Sequence, residues 1–291
     1  GYVSCWGSNW KGQLGDGTTT DRGTPTQTLS LGTGRTAVAI SSGGWHTCAI
    51  LDDGSVSCWG WNSNGQLGDG TTTNRNTPTQ TSTLGPGRTA VAISLGTFHT
   101  CAILDDASVS CWGNNGNGQL GDGTTTDRNI PTQTSSLGTG RTAVAISSNQ
   151  WYTCAILDDG SVSCWGSNLY GRLGDGTTTD RNNPTQTSSL GTGRTAVEIS
   201  SGGWHTCAIL DDGSVSCWGM NREGQLGDGT TTDRKIPTQT SSLEIERTAV
   251  AISTGDDHTC AILDDALVSC WGYNGDGQLG DGTTTDRNTS A

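Results

Sequence analysis

His46-Thr47-Cys48-Ala49-Ile50-Leu51-Asp52-Asp53-Gly54-Ser55-Val56-Ser57-Cys58-Trp59-Gly60 returns along the chain every 53 residues. Its second half, Cys-Trp-Gly, begins at Cys5, Cys58, Cys111, Cys164, Cys217 and Cys270, and its first half carries Cys48, Cys101, Cys154, Cys207 and Cys260. Two short apolar runs flank Asp52-Asp53-Gly54. That is the pattern of a β-hairpin with a three-residue loop, a type I turn followed by a left-handed position where glycine has no Cβ to clash. Antiparallel pairing about Asp53 sets Ile50 opposite Val56 and Cys48 opposite Cys58. Facing cysteines lie within disulfide reach only in that register. Each unit is therefore expected to be a stapled hairpin, and the chain a row of them.

A fixed period over 291 residues argues for one repeat array, residues 1–291, rather than two unrelated domains. The units fall at about 1–53, 54–106, 107–159, 160–212, 213–265 and a partial 266–291. Apolar residues are 31% and glycines number 45, so the core must be assembled from short strands and tight turns. The formal charge of −13 leaves no basic patch to neutralise phosphates, which argues against nucleic acid or an anionic membrane surface as partner. No run approaches the roughly 18 apolar residues of a membrane helix. The chain opens on Gly1 without a signal peptide, as a mature chain or a fragment does.

Eleven cysteines at two repeat positions raise zinc as an alternative to disulfides. Ligands ten residues apart on opposing strands do not resemble Cys-x-x-Cys knuckles, however. We expect Cys48–Cys58, Cys101–Cys111, Cys154–Cys164, Cys207–Cys217 and Cys260–Cys270 to be bonded, with Cys5 left unpaired. Such bonds place the protein outside a reducing cytosol, at the cell surface or in the extracellular space.

Taken in order, each unit offers four strands: Val-Ala-Ile-Ser as a buried strand, His-Thr-Cys-Ala-Ile-Leu, Ser-Val-Ser-Cys-Trp, and Pro-Thr-Gln-Thr as an edge strand where proline is tolerated. Four antiparallel strands per repeat with no helical pattern predict an all-β fold, a β-propeller of four-stranded blades. A flat solenoid would leave two open sheet ends, whereas a ring leaves only short outer edges. The array holds five complete hairpins and one half, so about six blades with one incomplete. Gly1 aligns with Gly54, and the chain ends at Ala291, where another Pro-Thr-Gln-Thr strand would begin. The gap is expected to be filled by further residues or a second subunit, with Cys5 bonded to the added strand.

The segment Trp59-Gly60-Trp61-Asn62-Ser63-Asn64-Gly65-Gln66-Leu67-Gly68-Asp69-Gly70, following His46-Thr-Cys and Asp53-Gly54, resembles the repeat of the regulator-of-chromosome-condensation propellers. The resemblance covers essentially the whole chain. It implies a propeller of normally seven blades, leaving five, six or seven open here. It also implies a range of roles. The family includes a secreted inhibitor that grips β-lactamases with one face, and a nuclear member that exchanges nucleotide on a small GTPase. The latter uses an inserted β-wedge, for which the unbroken period leaves no room.

Three repeated features compete for a chemical role. His46, His99, His205 and His258, with Tyr152 in the same place, sit in near-identical settings. A catalytic histidine needs a partner particular to one site, so these read as framework groups hydrogen-bonded to neighbouring backbone. The Asp16-Gly-Thr-Thr-Thr-Asp21 loops offer oxygens for calcium, but read more simply as Asx-turns. The Trp of Cys-Trp-Gly (6, 59, 112, 165, 218, 271) reads as inter-blade core rather than a stacking platform. No metal or cofactor is expected, and no enzyme site.

What differs between units carries more. The slot after Trp-Gly includes Ser8-Asn-Trp10-Lys11, Trp61-Asn-Ser63-Asn64, Ser167-Asn-Leu169-Tyr170, Met220-Asn-Arg222-Glu223 and Tyr273-Asn-Gly275-Asp276. The slot before His includes Trp45, Phe98, Trp151, Trp204 and Asp257, and a third slot precedes Pro. In an up-and-down blade the first-to-second and third-to-fourth connections emerge on one side of the disc, and all three slots are assigned there. The Asp-Asp-Gly turns, nearly constant, fall on the other side. A constant scaffold presenting one diversified face is expected, with Trp10, Trp45, Trp61, Phe98, Trp151, Tyr170, Trp204 and Tyr273 as binding residues. Such a surface suits a protein or glycan partner. The competing reading is that some of these rings merely cover blade tops. The leading functional expectation is thus a non-catalytic extracellular binding propeller. The alternative is a structural subunit of a fibre or surface layer whose open blade another chain completes, and nucleotide exchange ranks last.

Non-reducing peptide mapping is expected to return cysteine links of ten-residue spacing only. Links between repeats, or free thiols throughout, would remove both the stapled hairpin and the extracellular assignment.

Overall fold

The computed structural model describes residues 2–241, 243 and 247–290. Gly1, expected to align with Gly54, and Ala291 at the chain end lie outside them. Strands β1 (Ser4–Gly7) and β2 (Arg22–Gln27) form a two-stranded sheet. The first full blade is β3 (Ala37–Ser42), β4 (His46–Leu51), β5 (Val56–Gly60) and β6 (Arg75–Gln80), paired antiparallel in sequence order. The second is β7 (Ala90–Leu95), β8 (His99–Leu104), β9 (Val109–Gly113) and β10 (Arg128–Gln133). The third is β11 (Ala143–Ser148), β12 (Tyr152–Leu157), β13 (Val162–Gly166) and β14 (Arg181–Gln186). The fourth is β15 (Ala196–Ser201), β16 (His205–Leu210), β17 (Val215–Gly219) and β18 (Arg234–Gln239). A last sheet holds β19 (Ala249–Thr254), β20 (His258–Leu263) and β21 (Val268–Gly272), extended by one bridge from Gly272 to Arg287. Each full blade therefore straddles two of the 53-residue units.

The organising hairpin has the expected register, with Cys48 facing Cys58 and Ile50 facing Val56. Its loop closes through Gly54 N–H to Leu51 O at 2.8 Å, with Gly54 at φ +75°. Five disulfides link Cys48–Cys58, Cys101–Cys111, Cys154–Cys164, Cys207–Cys217 and Cys260–Cys270, and Cys5 is free.

Blades pack face to face. Cys48, Ile50, Val56, Cys58 and Leu67 meet Ala90, Ala102, Leu104 and Trp112 of the next blade in one cluster, and the pattern repeats around the array. Trp59, Trp112, Trp165, Trp218 and Trp271 are fully buried. Each indole lies against a loop glycine of the preceding unit. A Cβ built on Gly15, Gly68, Gly121, Gly174 or Gly227 would stand 2.7–2.8 Å from the ring that follows it. Trp6 departs from this expectation. It is 60% exposed, because among the described residues no preceding loop covers it. At the other end Gly280, equivalent to those five glycines, has nothing within 4 Å.

The first strands were expected to be buried, yet Val38, Val91, Val144, Val197 and Val250 are exposed. Their position in the register explains it. Ala37 pairs with Leu51 and Ala39 with Ile50, so Val38 is the extra residue of a β-bulge and is turned out of the inter-blade core. Strands β3, β7, β11, β15 and β19 pack against one another in succession, which makes them the innermost strands of the blades.

The near-constant turns are tied by charge. Arg35 pairs with Asp52 and Asp53, and Arg88, Arg141 and Arg194 bridge the corresponding aspartate pairs of their blades. Ala107 and Ala266 stand where Gly54 does, at φ +60° and +67°, the same left-handed geometry without glycine's freedom.

Replacing Trp165 by Ala empties a fully enclosed niche and is expected to cost about 3–5 kcal/mol. Trp6→Ala, at an open edge, is expected to stay within about 0.5 kcal/mol. Urea titration followed by far-UV circular dichroism separates the two, and equal losses would contradict the packing described.

Candidate functional site: the loops of one face

The long third-to-fourth connection is held by its own conserved-in-repeat frame. Asn9 is fully buried, and its amide donates to Asp16 Oδ1 (3.1 Å), Thr18 O (3.2 Å) and Thr20 O (3.1 Å) while its carbonyl oxygen accepts from Leu14 N–H (2.9 Å). Asp16 also receives the Thr18 amide and hydroxyl on Oδ1 and Arg22 Nε at 2.7 Å on Oδ2. Both carboxylate oxygens are thus engaged by protein donors, and the loop is an Asx-turn closed by an ion pair. Asn62, Asn115, Asn168, Asn221 and Asn274 repeat the buried amide. Because the frame uses only these side chains, the residues between them are free to change without unfolding the loop.

One further residue normally sets the tip. Gln13 Oε1 accepts the Lys11 amide at 2.9 Å, and Gln66, Gln119, Gln225 and Gln278 do the same in their units.

The repeated histidines are framework groups, but their partner is not backbone as expected. His46 Nε2 meets Thr100 Oγ1 of the next blade at 2.8 Å, His99 meets Thr153 at 2.8 Å, and His205 meets Thr259 at 2.7 Å. The Thr100 hydroxyl spends its proton on Gln66 O (2.9 Å), so it accepts from His46 Nε2–H. Among the described residues, Nδ1 of His46 and of His99 is buried without a partner. Tyr152 reaches across the same seam, donating to His205 O at 2.7 Å with its hydroxyl 2.9 Å from Thr206. These side chains fasten blade to blade and offer no proton-transfer site.

The aromatic residues singled out from the sequence come largely together. Ring centroids are 5.1 Å apart for Trp10–Trp45, 6.4 Å for Trp45–Trp61, 5.5 Å for Trp61–Phe98 and 5.3 Å for Phe98–Trp151. The first three contacts are edge-to-face, the arrangement the ring quadrupole favours. Trp10 and Trp61 come from third-to-fourth connections and Trp45, Phe98 and Trp151 from first-to-second ones, so both kinds of loop do open on one side. Lys11 Nζ stands 4.4 Å from the Trp10 ring and 5.4 Å from Trp61. Tyr170 and Trp204 form a second pair, 6.1 Å apart. Trp10 is 51% exposed; Trp45, Trp61, Phe98, Trp151, Tyr170 and Trp204 are half-buried. Tyr273 joins neither group, and its hydroxyl folds over Gly275 of its own loop. The third variable slot is displaced from its assigned place. Asn76, Asn129 and Asn182 lie in β6, β10 and β14 and donate to Gly17 O, Gly70 O and Gly123 O of the preceding unit. They are seam residues rather than loop residues.

Sequence reasoning missed Arg172. It occupies the place of the loop-tip glutamine, which was visible as a break in the Gly-Gln-Leu-Gly series. The side chain is 1% exposed and donates to Ser167 O (3.0 Å), Ser167 Oγ (2.6 Å) and Gly203 O (2.9 Å). Its guanidinium lies 5.3 Å from the rings of both Tyr152 and Trp204. The two departures from the repeat, Tyr for His and Arg for Gln, therefore touch.

Along residues 1–291 the chain matches the RCC1-like domain. It is 35% identical over 286 residues to the ultraviolet-B receptor UVR8 of Arabidopsis thaliana, covering 98% of this chain and 64% of the receptor. It is 32% identical over 285 residues to the human E3 ubiquitin-protein ligase HERC2, covering 97% of this chain and 6% of the ligase. The chain thus spans less than two thirds of these curated relatives. The crystal structure of human WBSCR16 superposes with a TM-score of 0.86 at 21% identity, over 99% of this chain and 75% of that one. The structure of Saccharomyces cerevisiae Prp20p, a protein described with its binding to Gsp1p and histones, gives 0.84 at 19% identity, over 100% and 72%. These two likenesses bear on the fold alone. No helix among the described residues is long and apolar enough to cross a membrane.

The buried histidines make a pH dependence. Desolvation pushes His46, His99 and His205 down to about 3, with a neighbouring histidine adding to the effect for His46 and His205. In the unfolded chain they titrate near 6.5, so the unfolded state binds more protons between those values. Their contribution to stability is complete above pH ~6.5 and is lost progressively as pH falls toward 3. Removing one histidine, as in His99→Gln, is expected to flatten the slope of unfolding free energy against pH near pH 5 by about 1.4 kcal/mol per unit. Urea titrations at pH 4.5, 5 and 5.5 measure it.

Proposed function

The chain belongs to the RCC1-like domain family, and from that membership and its loop face we propose that it is a non-catalytic propeller holding a protein partner on its first-to-second and third-to-fourth connections. The observation that carries this reading is the unbroken run of ring contacts from Trp10 to Trp151 across loops of successive sheets. Rings that only capped their own blade would have no reason to meet across blades. Aromatic groups of this kind are the side chains that most often anchor interfaces, since they bury large area at little conformational cost. A partner protein rather than a glycan is favoured by the width of the belt and by its membership of a family used for protein interaction and regulation. Five disulfides support an oxidising, extracellular setting.

A second reading, in which another chain completes the array, draws on exposed Trp6 and the uncovered niche at Gly280. Light scattering across a concentration series tests it, and a strictly monomeric species would exclude it.

The leading reading is tested by photo-crosslinking. A benzophenone side chain placed at Ser63 on the loop face, or at Asp106 on the opposite face, is irradiated with the extracellular fraction of the source. Capture is expected from Ser63 alone. The triple change Trp45→Ala, Trp61→Ala, Trp204→Ala is expected to weaken that captured partner by about 30-fold or more, equivalent to about 2 kcal/mol, with the fold retained. Equal capture from Asp106 would overturn the assignment of the face.

A further inference from the structure

Of the 15 lysines and arginines, eleven belong to the repeat frame. Six close the Asx-turns, Arg22 through Arg287, and five face the aspartate turns, Arg35 through Arg247; all eleven are ion-paired. The other four are Lys11, Arg172, Arg222 and Lys235, and none makes an ion pair with a described residue within 4.0 Å. Three of these four meet at one place, the seam between the third and fourth blades.

Tyr170 is the centre of that place. Its amide has no glutamine oxygen to receive it, because Arg172 stands where the other units carry Gln, and its loop forms a short 3-10 turn over Leu169–Gly171. Tyr170 takes φ +63°, and among the described residues it is one of three non-glycine residues with positive φ and the only bulky one. An aromatic residue in the left-handed region is strained and persists only where its surroundings hold it. Here Trp204 supports one side at 6.1 Å, and the Arg222 guanidinium of the next blade lies 4.9 Å from the ring. Gly171 packs on Lys235, leaving only 2.7 Å between a built Cβ and Lys235 Cα. Beneath them Arg172 is held by neutral oxygens only, so its charge is not cancelled on the spot. Two carboxylates stand near. Asp180 accepts the Asn168 amide at 2.7 Å and acts on Arg172 through space, while burial and then Asp286 raise the Glu223 carboxyl above its usual range against the pull of Arg222.

We propose that Tyr170, Trp204, Arg222 and Lys235, backed by buried Arg172, receive a carboxylate-bearing side chain of the protein partner. The inference rests on the partner-binding reading above and adds the chemistry of one contact. On a chain of formal charge −13, three cations with no ion pair to a described residue within 4.0 Å, beside a fixed aromatic ring, are a selective feature. An acidic side chain gains charge-assisted hydrogen bonds from Arg222 and Lys235, and the ring fixes where its methylene lies. Arg222 and Lys235 are the contacting residues. Arg172 and Tyr152 are positioning residues: they set the Tyr170 loop and supply charge from below.

The probe is a phage-displayed library of random dodecapeptides, selected on the native, disulfide-intact protein. Selected peptides are expected to be enriched in Asp and Glu beside apolar residues. Changing the acidic residue to its amide is expected to weaken binding about tenfold on the parent protein and not at all on Arg222→Gln/Lys235→Asn. The pair Tyr152→His/Arg172→Gln restores residues that the other blades already carry, so it is expected to fold and to lose the same preference. Peptides that depend on Trp45 and Trp61 but show no acidic preference would overturn the corner and leave the partner-binding face intact. A library yielding no peptide dependent on that face would overturn both. An acidic preference that survives in both double variants would place the cationic contact elsewhere and refute the assignment.

Discussion

Each inter-blade seam rests on one indole lying against one glycine. Trp59 on Gly15, and its four successors, fill a space that a Cβ would close. Because the glycine sits in the long loop of the preceding unit, the contact fixes that loop as well as the seam. The Cys48–Cys58 disulfide holds the hairpin from which Trp59 projects, and packs in the cluster that takes Trp112 from the next blade. The exposed Trp6 and the uncovered Gly280 show the same knob and the same niche without a partner. Apolar exposure at those ends, including Ile40 and Val268, follows directly.

The loop frame separates structure from variation. Asn9, Asp16 and Arg22 and their equivalents satisfy the loop backbone from within, and the His–Thr pairs fasten the blades below. Residues such as Trp10, Ser63 and Arg222 carry none of these bonds, so changes there leave the frame intact. On the opposite side, Arg35 is committed to Asp52 and Asp53, and few positions are free. The asymmetry between the faces thus has a physical origin in which side chains close which turns.

Where one unit departs from the frame, it does so in concert. Tyr152 and Arg172 replace a His and a Gln that in other units meet through one threonine, as His46 and Gln66 do at Thr100; here the two side chains also pack on each other, and the loop bearing Tyr170 is reshaped. A single substitution of Arg for Gln would bury a cation with Trp204 alone beside it. The paired change keeps the Thr206 seam closed and leaves the cation flanked by two aromatic faces.

The period, the hairpin register, the disulfide pairing and the propeller architecture were legible in the residues alone, because each depends on local geometry repeated at a fixed interval. Cys48 faces Cys58 whenever Asp53 heads a three-residue loop, whatever surrounds it. The sidedness of two of the three variable slots was legible for the same reason. Other features depend on what one blade meets in the next. The bulge that exposes Val38, the threonine that receives His46, and the displacement of Asn76 into a strand all involve a neighbouring strand or blade. So does the meeting of Trp61 with Phe98, and of Arg172 with Tyr152, which lie 20 or more residues apart and are joined only when loops converge. Sequence spacing determines which side of a blade a residue leaves from; only the packing of blade on blade decides what it touches there.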